Sequence, residues 1–385
     1  MSSYYCLLGS TPALSVWELE SVVSTPITHL TSSLVKLALD SDQHAQELMK
    51  KLGGSIKIYR HISTVSDQSK LTTAIAEHLK SIQAKPRFGL AYFGLPAKEP
   101  SVQDIKDHLS QESIPSRYIE SDMNGLSASI ILHHKNVTEV ALIKEEAAIH
   151  LAELVAIQDI DDWTTRDRHK PFFDRKKGML PPKIARIMVN LAVSEHKKAA
   201  GDNQENQEVV TVFDPFCGTG TVLLEAALQG HNVIGSDASM ESAHGTQNNL
   251  EWLAKEYDVP VNHQVFVSDA SSVSQKVAAN SVDIIVTEPF LGKQTPQVHQ
   301  VPNIFKGLEK LYLGAFKDWQ KVLKPGAVVT IIFPSVETPR HTFTLQGLID
   351  KLPSLGYTIS SGPVQYARPG AIVKRNIYTF TYVKS

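Results

Sequence analysis

Short runs of apolar and polar residues with changing period fill residues 1–160. Tyr4–Gly9, Leu30–Leu39, Ser55–Ile62 and Phe88–Phe93 have the composition of strands. Leu14–Val23, Gln43–Leu52, Leu71–Ile82 and Val102–Leu109 have helical spacing, and Gly53-Gly54 closes the second of these. Leu126–His133 fits either a helix or a strand, while Glu139–Ile143 and Ile149–Ile157 read as strands. The pattern predicts two small α+β layers. His61, His78 and His108 stand apart from one another in it and read as surface or core residues, with no catalytic constellation around them.

The second half has a longer rhythm. Pro181-Pro182 opens a helix that places Ile184, Ile187, Met188 and Leu191 on one face. Strand Val209–Phe213, helix Thr221–Gln229 with Gly230 at its C′ position, strand Asn232–Ser236 and helix Met240–Glu256 follow. Strands Gln264–Val267 and Val282–Thr287, helix Ile304–Leu323 and strand Ala327–Phe333 continue the alternation. Repeated strand–helix units with nearly continuous apolar strands predict an α/β fold, a mainly parallel doubly wound sheet behind the α+β region. Asn376–Val383 alternates like an edge or antiparallel strand, and Gly201–Glu208 reads as a surface loop.

A chain of 385 residues suggests two or three domains. No segment approaches the ~20 apolar residues of a membrane span, and Met1–Tyr5 lacks the features of a signal peptide. Two cysteines, Cys6 and Cys217, make neither a disulfide framework nor a zinc site, so a cytoplasmic protein without membrane attachment is expected. The net charge of −2 excludes a uniformly basic surface. Positive charge is instead concentrated in one stretch: Arg166, Arg168, Lys170, Arg175, Lys176, Lys177, Lys183 and Arg186 face only Asp167 and Asp174 in sequence. Such a run is either a solvated linker or a nucleic-acid contact, and Arg166, Arg168, Lys176 and Lys177 are the candidates for RNA.

The chemistry sits at predicted strand ends. Asp214-Pro215-Phe216-Cys217-Gly218-Thr219-Gly220-Thr221 joins a strand to a helix, where ligands bind in open α/β sheets. Its glycines allow close backbone approach, and the helix N-terminus behind it carries partial positive charge. An acid opening the loop is a poor neighbour for a pyrophosphate but suits the ammonium and sulfonium groups of S-adenosylmethionine. Asp237, followed by Ala238, closes the next strand, where a carboxylate binds ribose hydroxyls. Asp269, followed by Ala270, is placed to accept from an adenine amine. Either acid could equally be a helix N-cap. Glu288-Pro289-Phe290-Leu291 leaves a further strand at the same sheet edge. A carboxylate and a backbone carbonyl that accept the protons of an exocyclic base amine, beside an aromatic wall, would activate that weak nucleophile. Glu288, Pro289 and Phe290 furnish these parts. Cys217 lies in the glycine loop and the Glu288 loop has no cysteine, so a covalent pyrimidine C5 mechanism has no nucleophile.

These residues resemble the THUMP-containing RNA methyltransferases, and within them the tRNA guanosine-10 N2-methyltransferase family. Four blocks carry the likeness: Tyr5–Gly9 with Leu14–Leu19, Met179–Ala185 with Asn190–Ala192, Asp214–Thr221, and Arg368-Pro369-Gly370. The resemblance implies a ferredoxin-like subdomain over residues 1–63 and a THUMP-like RNA-binding domain over 64–160. A basic linker over 161–178 and a Rossmann-like methyltransferase domain over 179–385 would complete the chain. It further implies capture of the acceptor end of tRNA by the N-terminal part, and a cofactor bordered by Met179–Lys183, Pro181 included. No obligate protein partner is expected. One departure stands out: the family's Asp-Pro-Pro-Tyr is Glu288-Pro289-Phe290-Leu291 here. A DNA amino-methyltransferase acting on adenine N6 or cytosine N4, or a non-catalytic RNA-binding protein keeping only the fold, would share much of this pattern.

Overall fold

The computed structural model describes residues 2–96, 98–134, 136–174, 178–201 and 209–383. The expected basic contacts Lys176 and Lys177, and residues 202–208 of the polar loop, lie outside them. The chain divides into two compact units, one of residues 1–16 and 23–162 and one of 17–22 and 163–385.

The first unit contains β1 (Ser2–Leu8), the start of α1 (Pro12–Val22), whose residues from Trp17 on belong to the second, β2 (Thr28–His29), β3 (Leu34–Leu39), α2 (Asp42–Lys51) and β4 (Ser55–Val65). It continues with α3 (Leu71–Ile82), β5 (Arg87–Phe93), α4 (Val102–Gln111) and β6 (Arg117–Tyr118), then α5 (Ala128–His133), β7 (Thr138–Glu145) and β8 (Ala148–Ile157). Where the sequence suggests two layers, the strands form one eight-stranded sheet in the order β2-β3-β1-β4-β8-β7-β5-β6. The reason is the length of β4: its first half pairs with β1 while nearly its whole length pairs with β8. The expected strand over Leu30–Leu39 begins only at Leu34. The Thr31 hydroxyl accepts from the Ser33 and Leu34 amides and makes the preceding residues a turn. The ambiguous segment is the helix α5, capped by Ser127 accepting from the Ile130 amide. Inside the unit, Lys57 and Tyr59 both donate to the fully buried Glu139.

The second unit carries the doubly wound sheet. After α6 (Ile160–Thr164) come α7 (Pro182–Ala199), β9 (Thr211–Asp214), α8 (Thr221–Ala227), β10 (Asn232–Asp237), α9 (Met240–Glu256) and β11 (His263–Val267). Then follow β12 (Val282–Thr287), α10 (Val301–Trp319), β13 (Leu323–Glu337), β14 (Thr342–Phe343), α11 (Gln346–Ile349), β15 (Tyr357–Tyr366) and β16 (Val373–Tyr382). The sheet order is β11-β10-β9-β12-β13-β16-β15. The pairs from β11 to β13 are parallel, and β16 inserts antiparallel between β13 and β15. The last strand is therefore internal rather than an edge. Helix α10 starts three residues before the expected Ile304, because Pro302 fits a first helical turn whose amides need no partner. Its face buries Phe305, Tyr312, Phe316 and Trp319 against Phe333 and Phe380 of the sheet. Every residue of β12 is buried, as a central parallel strand covered on both faces requires.

Candidate functional site

From β9 the chain steps outward to β10 and β11, then returns to place β12 on the other side of β9. The loops leaving β9 and β12 therefore part in opposite directions, and a crevice opens between them at the carboxyl ends of the strands. The glycine loop follows β9 and Glu288 follows β12, so topology alone brings the two motifs together.

Asp214 ends β9 almost completely buried. Its Oδ1 accepts from the Thr287 hydroxyl at 2.6 Å and from the Phe216 amide at 3.1 Å. Burial pushes its pKa up to about 7, against the downward pull of those two donors. Gly218 and Gly220 have φ of 53° and 77°, the left-handed region that side chains disfavour. A Cβ on Gly220 would also meet Thr246 Cγ2 at 2.8 Å. Asp237 Oδ2 accepts the Gly218 amide at 3.0 Å and Oδ1 the Ser239 amide at 2.8 Å, so this carboxylate shapes the loop. Each oxygen keeps a further lone-pair direction. Cys217 is buried and its thiol is held well above the ordinary range, chiefly by burial, so it is no nucleophile.

Several residues that hold this loop were not picked out from the sequence. The Asn249 amide donates to the carbonyls of Phe172 and Thr219, while its oxygen accepts the Phe172 amide. Thr246 donates to the Gly218 carbonyl at 2.9 Å. Lys170, almost wholly buried, donates to the Thr221 hydroxyl at 3.0 Å, and burial lowers its pKa to about 8. A signal was present: Ser242, Thr246, Asn249 and Leu253 form a helical stripe of α9 whose members are all buried, polar ones included. A buried polar side chain needs a partner, and the loop supplies it.

Among the described residues of the basic run, Arg166, Lys170 and Arg186 are buried. Arg166 and Arg186 donate from two directions to Glu225 of α8, at 2.7 and 2.8 Å, and all three side chains are buried. The Arg166 guanidinium also lies 4.1 Å from the centre of the Trp163 ring. The expectation that Arg166 contacts RNA is therefore corrected: its charge is consumed inside the fold. Arg168 is exposed, with Asp167 at 4.0 Å.

After β12, Glu288 Oε1 accepts a short hydrogen bond from Arg375 Nε on β16. Pro289 is buried. The Phe290 carbonyl accepts from the Tyr312 hydroxyl at 2.7 Å, yet its ring is 63% exposed, unusual for a large apolar side chain beside a crevice. Glu288, Asp214, Phe216, Cys217, Gly218, Thr219 and Thr221 all line one cavity, together with Met179 and Leu180. Pro181 instead is the N-cap residue just before α7, its carbonyl accepting the Ile184 and Ala185 amides. Asp237, Ala238, Asp269 and Ala270 do not line this cavity. Asp269 Oδ1 accepts from the amide and hydroxyl of Ser271, the turn-making role, and Ala270 is packed in the core with its carbonyl bound by Trp319.

The cavity fits a cationic ligand. Asp174, Asp214 and Glu288 contribute carboxylates to its wall, and no lysine or arginine is among the described residues lining it. A Cβ on Gly218 would project into open space, its closest neighbour 3.9 Å away, which leaves room for a ligand against the backbone.

Residues 173–351 match the UPF0020 family, described as RMKL-like, methyltransferase domain. Over 131 residues the chain is 34% identical to a probable tRNA (guanine(10)-N2)-dimethyltransferase of Methanothermococcus thermolithotrophicus, covering 33% of this chain and 70% of that one. The chain belongs to the tRNA guanosine-10 N2-methyltransferase family. Another family member, the tRNA (guanine(10)-N2)-dimethyltransferase of Methanocaldococcus jannaschii, is 26% identical over 72% of this chain and 78% of its own length. The enzyme of that name from Methanothermobacter thermautotrophicus is 32% identical over 48% of this chain, but the match spans only 45% of the relative. In fold, the family member superposes on a methyltransferase candidate complexed with SAH (TM-score 0.52, 11% identity, 100% of this chain and 99% of that one). The fold is the Rossmann-like one of S-adenosylmethionine-dependent methyltransferases, and S-adenosylmethionine is the cofactor of this family.

Proposed function

We propose that this protein transfers a methyl group from S-adenosylmethionine to an exocyclic base amine of tRNA, guanine N2 being the favoured acceptor. The observation that carries the reading is the shared cavity, in which the glycine loop and Glu288 meet. When bound, the cofactor supplies an electrophilic methyl group on a positively charged sulfur. Asp214 and the Gly218 backbone would hold its charged end and Asp237 its ribose. Asp237 does not itself line the cavity, but it fixes the amide of Gly218, which does. Glu288 would accept a proton-bearing bond from the target amine, directing the nitrogen lone pair outward, while the exposed Phe290 ring stacks on the extruded base. The matched relatives are named as tRNA enzymes, which favours RNA over DNA as the acceptor. Residues 1–160 would grip the RNA as ferredoxin-like and THUMP-like parts. Arg168, Lys176 and Lys177 would add phosphate contacts to that grip. A protein that works on tRNA would act in the cytoplasm.

Single-turnover methyl transfer to tRNA tests the assignment of Glu288. Glu288→Gln keeps the size and one acceptor oxygen but loses the charge. Its rate should fall by about 10²-fold or more while cofactor affinity by calorimetry stays within about twofold, the scale of losing one aligned catalytic group. A wild-type rate in this variant would remove Glu288 from the chemistry.

A further inference from the structure

Glu288 carries its carboxylate on an arm one methylene longer than an aspartate's, with one more torsion to fix. We propose that Arg375 is the positioning residue that fixes it, which makes the C-terminal β15–β16 hairpin a working part of the acceptor site. The inference rests on the reading of Glu288 given above.

The register shows how the contact arises. Thr287, the last residue of β12, lies opposite Ile331 of β13, and Arg375 of β16 lies opposite Pro334 of the same strand. Two strand spacings of about 4.8 Å therefore separate the backbones, and the residues are also offset along the strands. Only two long side chains reaching towards each other close such a gap. Arg375 and Glu288 do so, with side chains 18% and 15% exposed, so water is largely kept from the bond without two charges being fully desolvated. An aspartate at 288 would withdraw its carboxylate by one carbon–carbon bond, about 1.5 Å, and lose the contact. The longer acid and the arginine are a matched pair.

The pairing also leaves the carboxylate usable. Arg375 engages Oε1, and a carboxylate has a second oxygen with its own lone pairs for an incoming amine. Held through Nε, the group cannot swing towards solvent as a lone glutamate would. The same hairpin touches a second lining residue: Arg368, in the turn between β15 and β16, donates to the carbonyl of Met179 at 3.4 Å. Met179 and Glu288 both line the cavity, so one hairpin reaches two residues of its lining.

The test is single-turnover methylation of bulk tRNA by the full chain carrying Arg375→Ala, Arg375→Lys, Glu288→Gln or both Arg375→Ala and Glu288→Gln. Cofactor affinity and melting temperature are measured on each. A misplacement of about 1 Å predicts a loss of about 10²-fold in rate for Arg375→Ala, with cofactor affinity within about twofold of wild type. Arg375→Lys should recover part of the loss, because the charge remains but the fork geometry does not. The double variant should be no slower than Glu288→Gln alone, since both changes disable the same group. A wild-type rate in Arg375→Ala beside a slow Glu288→Gln would overturn the role of Arg375 and leave the function standing. Additive losses, or a parallel loss of cofactor binding, would also overturn it by showing a merely structural arginine. A wild-type rate in Glu288→Gln would instead strike at the reading of the site itself.

Discussion

A carboxyl group with almost no exposed surface keeps its proton to higher pH, and Asp214 is such a group at the mouth of the glycine loop. With the folded pKa raised to about 7, the folded state holds a proton that the unfolded chain, near its ordinary 3.8, releases. This group's contribution to stability is therefore complete below the ordinary value. It declines as pH rises and is gone above about 7, a change on the order of a few kcal/mol. Asp214→Asn keeps an oxygen for the Thr287 hydroxyl and the Phe216 amide but cannot ionise. Melting followed from pH 4 to 8 should show wild type losing stability relative to Asp214→Asn across that window. Parallel curves for the two proteins would mean that Asp214 is ionised throughout. At this scale the sequence was most legible where chemistry depends on residue type: the acid, the two glycines and the following threonine occupy the places their spacing implied. It was least legible where a partner decides. Nothing adjacent in sequence reveals that Arg375 reaches Glu288 across β13.

Elements show the same division. Parallel strands and their helices were readable because a strand buried on both faces must be continuously apolar, as β12 is. At Arg166 the basic stretch was misleading, because charge along a sequence says nothing of direction. A pi-helical turn at Thr165–His169 turns Arg166 inward and leaves Arg168 outward. These two arginines consequently make opposite predictions. Arg166→Ala breaks a buried cluster around Glu225 and should cost about 3–5 kcal/mol. Arg168→Ala should change stability by less than about 0.5 kcal/mol. It should instead flatten the log–log salt dependence of tRNA affinity by about 0.7–0.9, the share of one phosphate contact. Thermal melting and binding titrations at several salt concentrations separate the two. An Arg166→Ala protein as stable as wild type would contradict the burial argument. An unchanged salt slope in Arg168→Ala would make this segment a linker only.

Over the whole molecule the chain divides into two compact units, and β4 runs through what looked like a break and unites the first unit in a single sheet. No described helix is long and apolar enough to cross a membrane. The second unit sets its glycine loop and Glu288 at one switch point, where they line one cavity. The direct test is to incubate the full chain with S-adenosylmethionine carrying a labelled methyl group and unmodified tRNA, digest the RNA and identify the labelled nucleoside. The account predicts guanosine methylated on N2, once or twice. Label on a ring carbon, on a ribose oxygen or on another base, or no transfer at all, would contradict it.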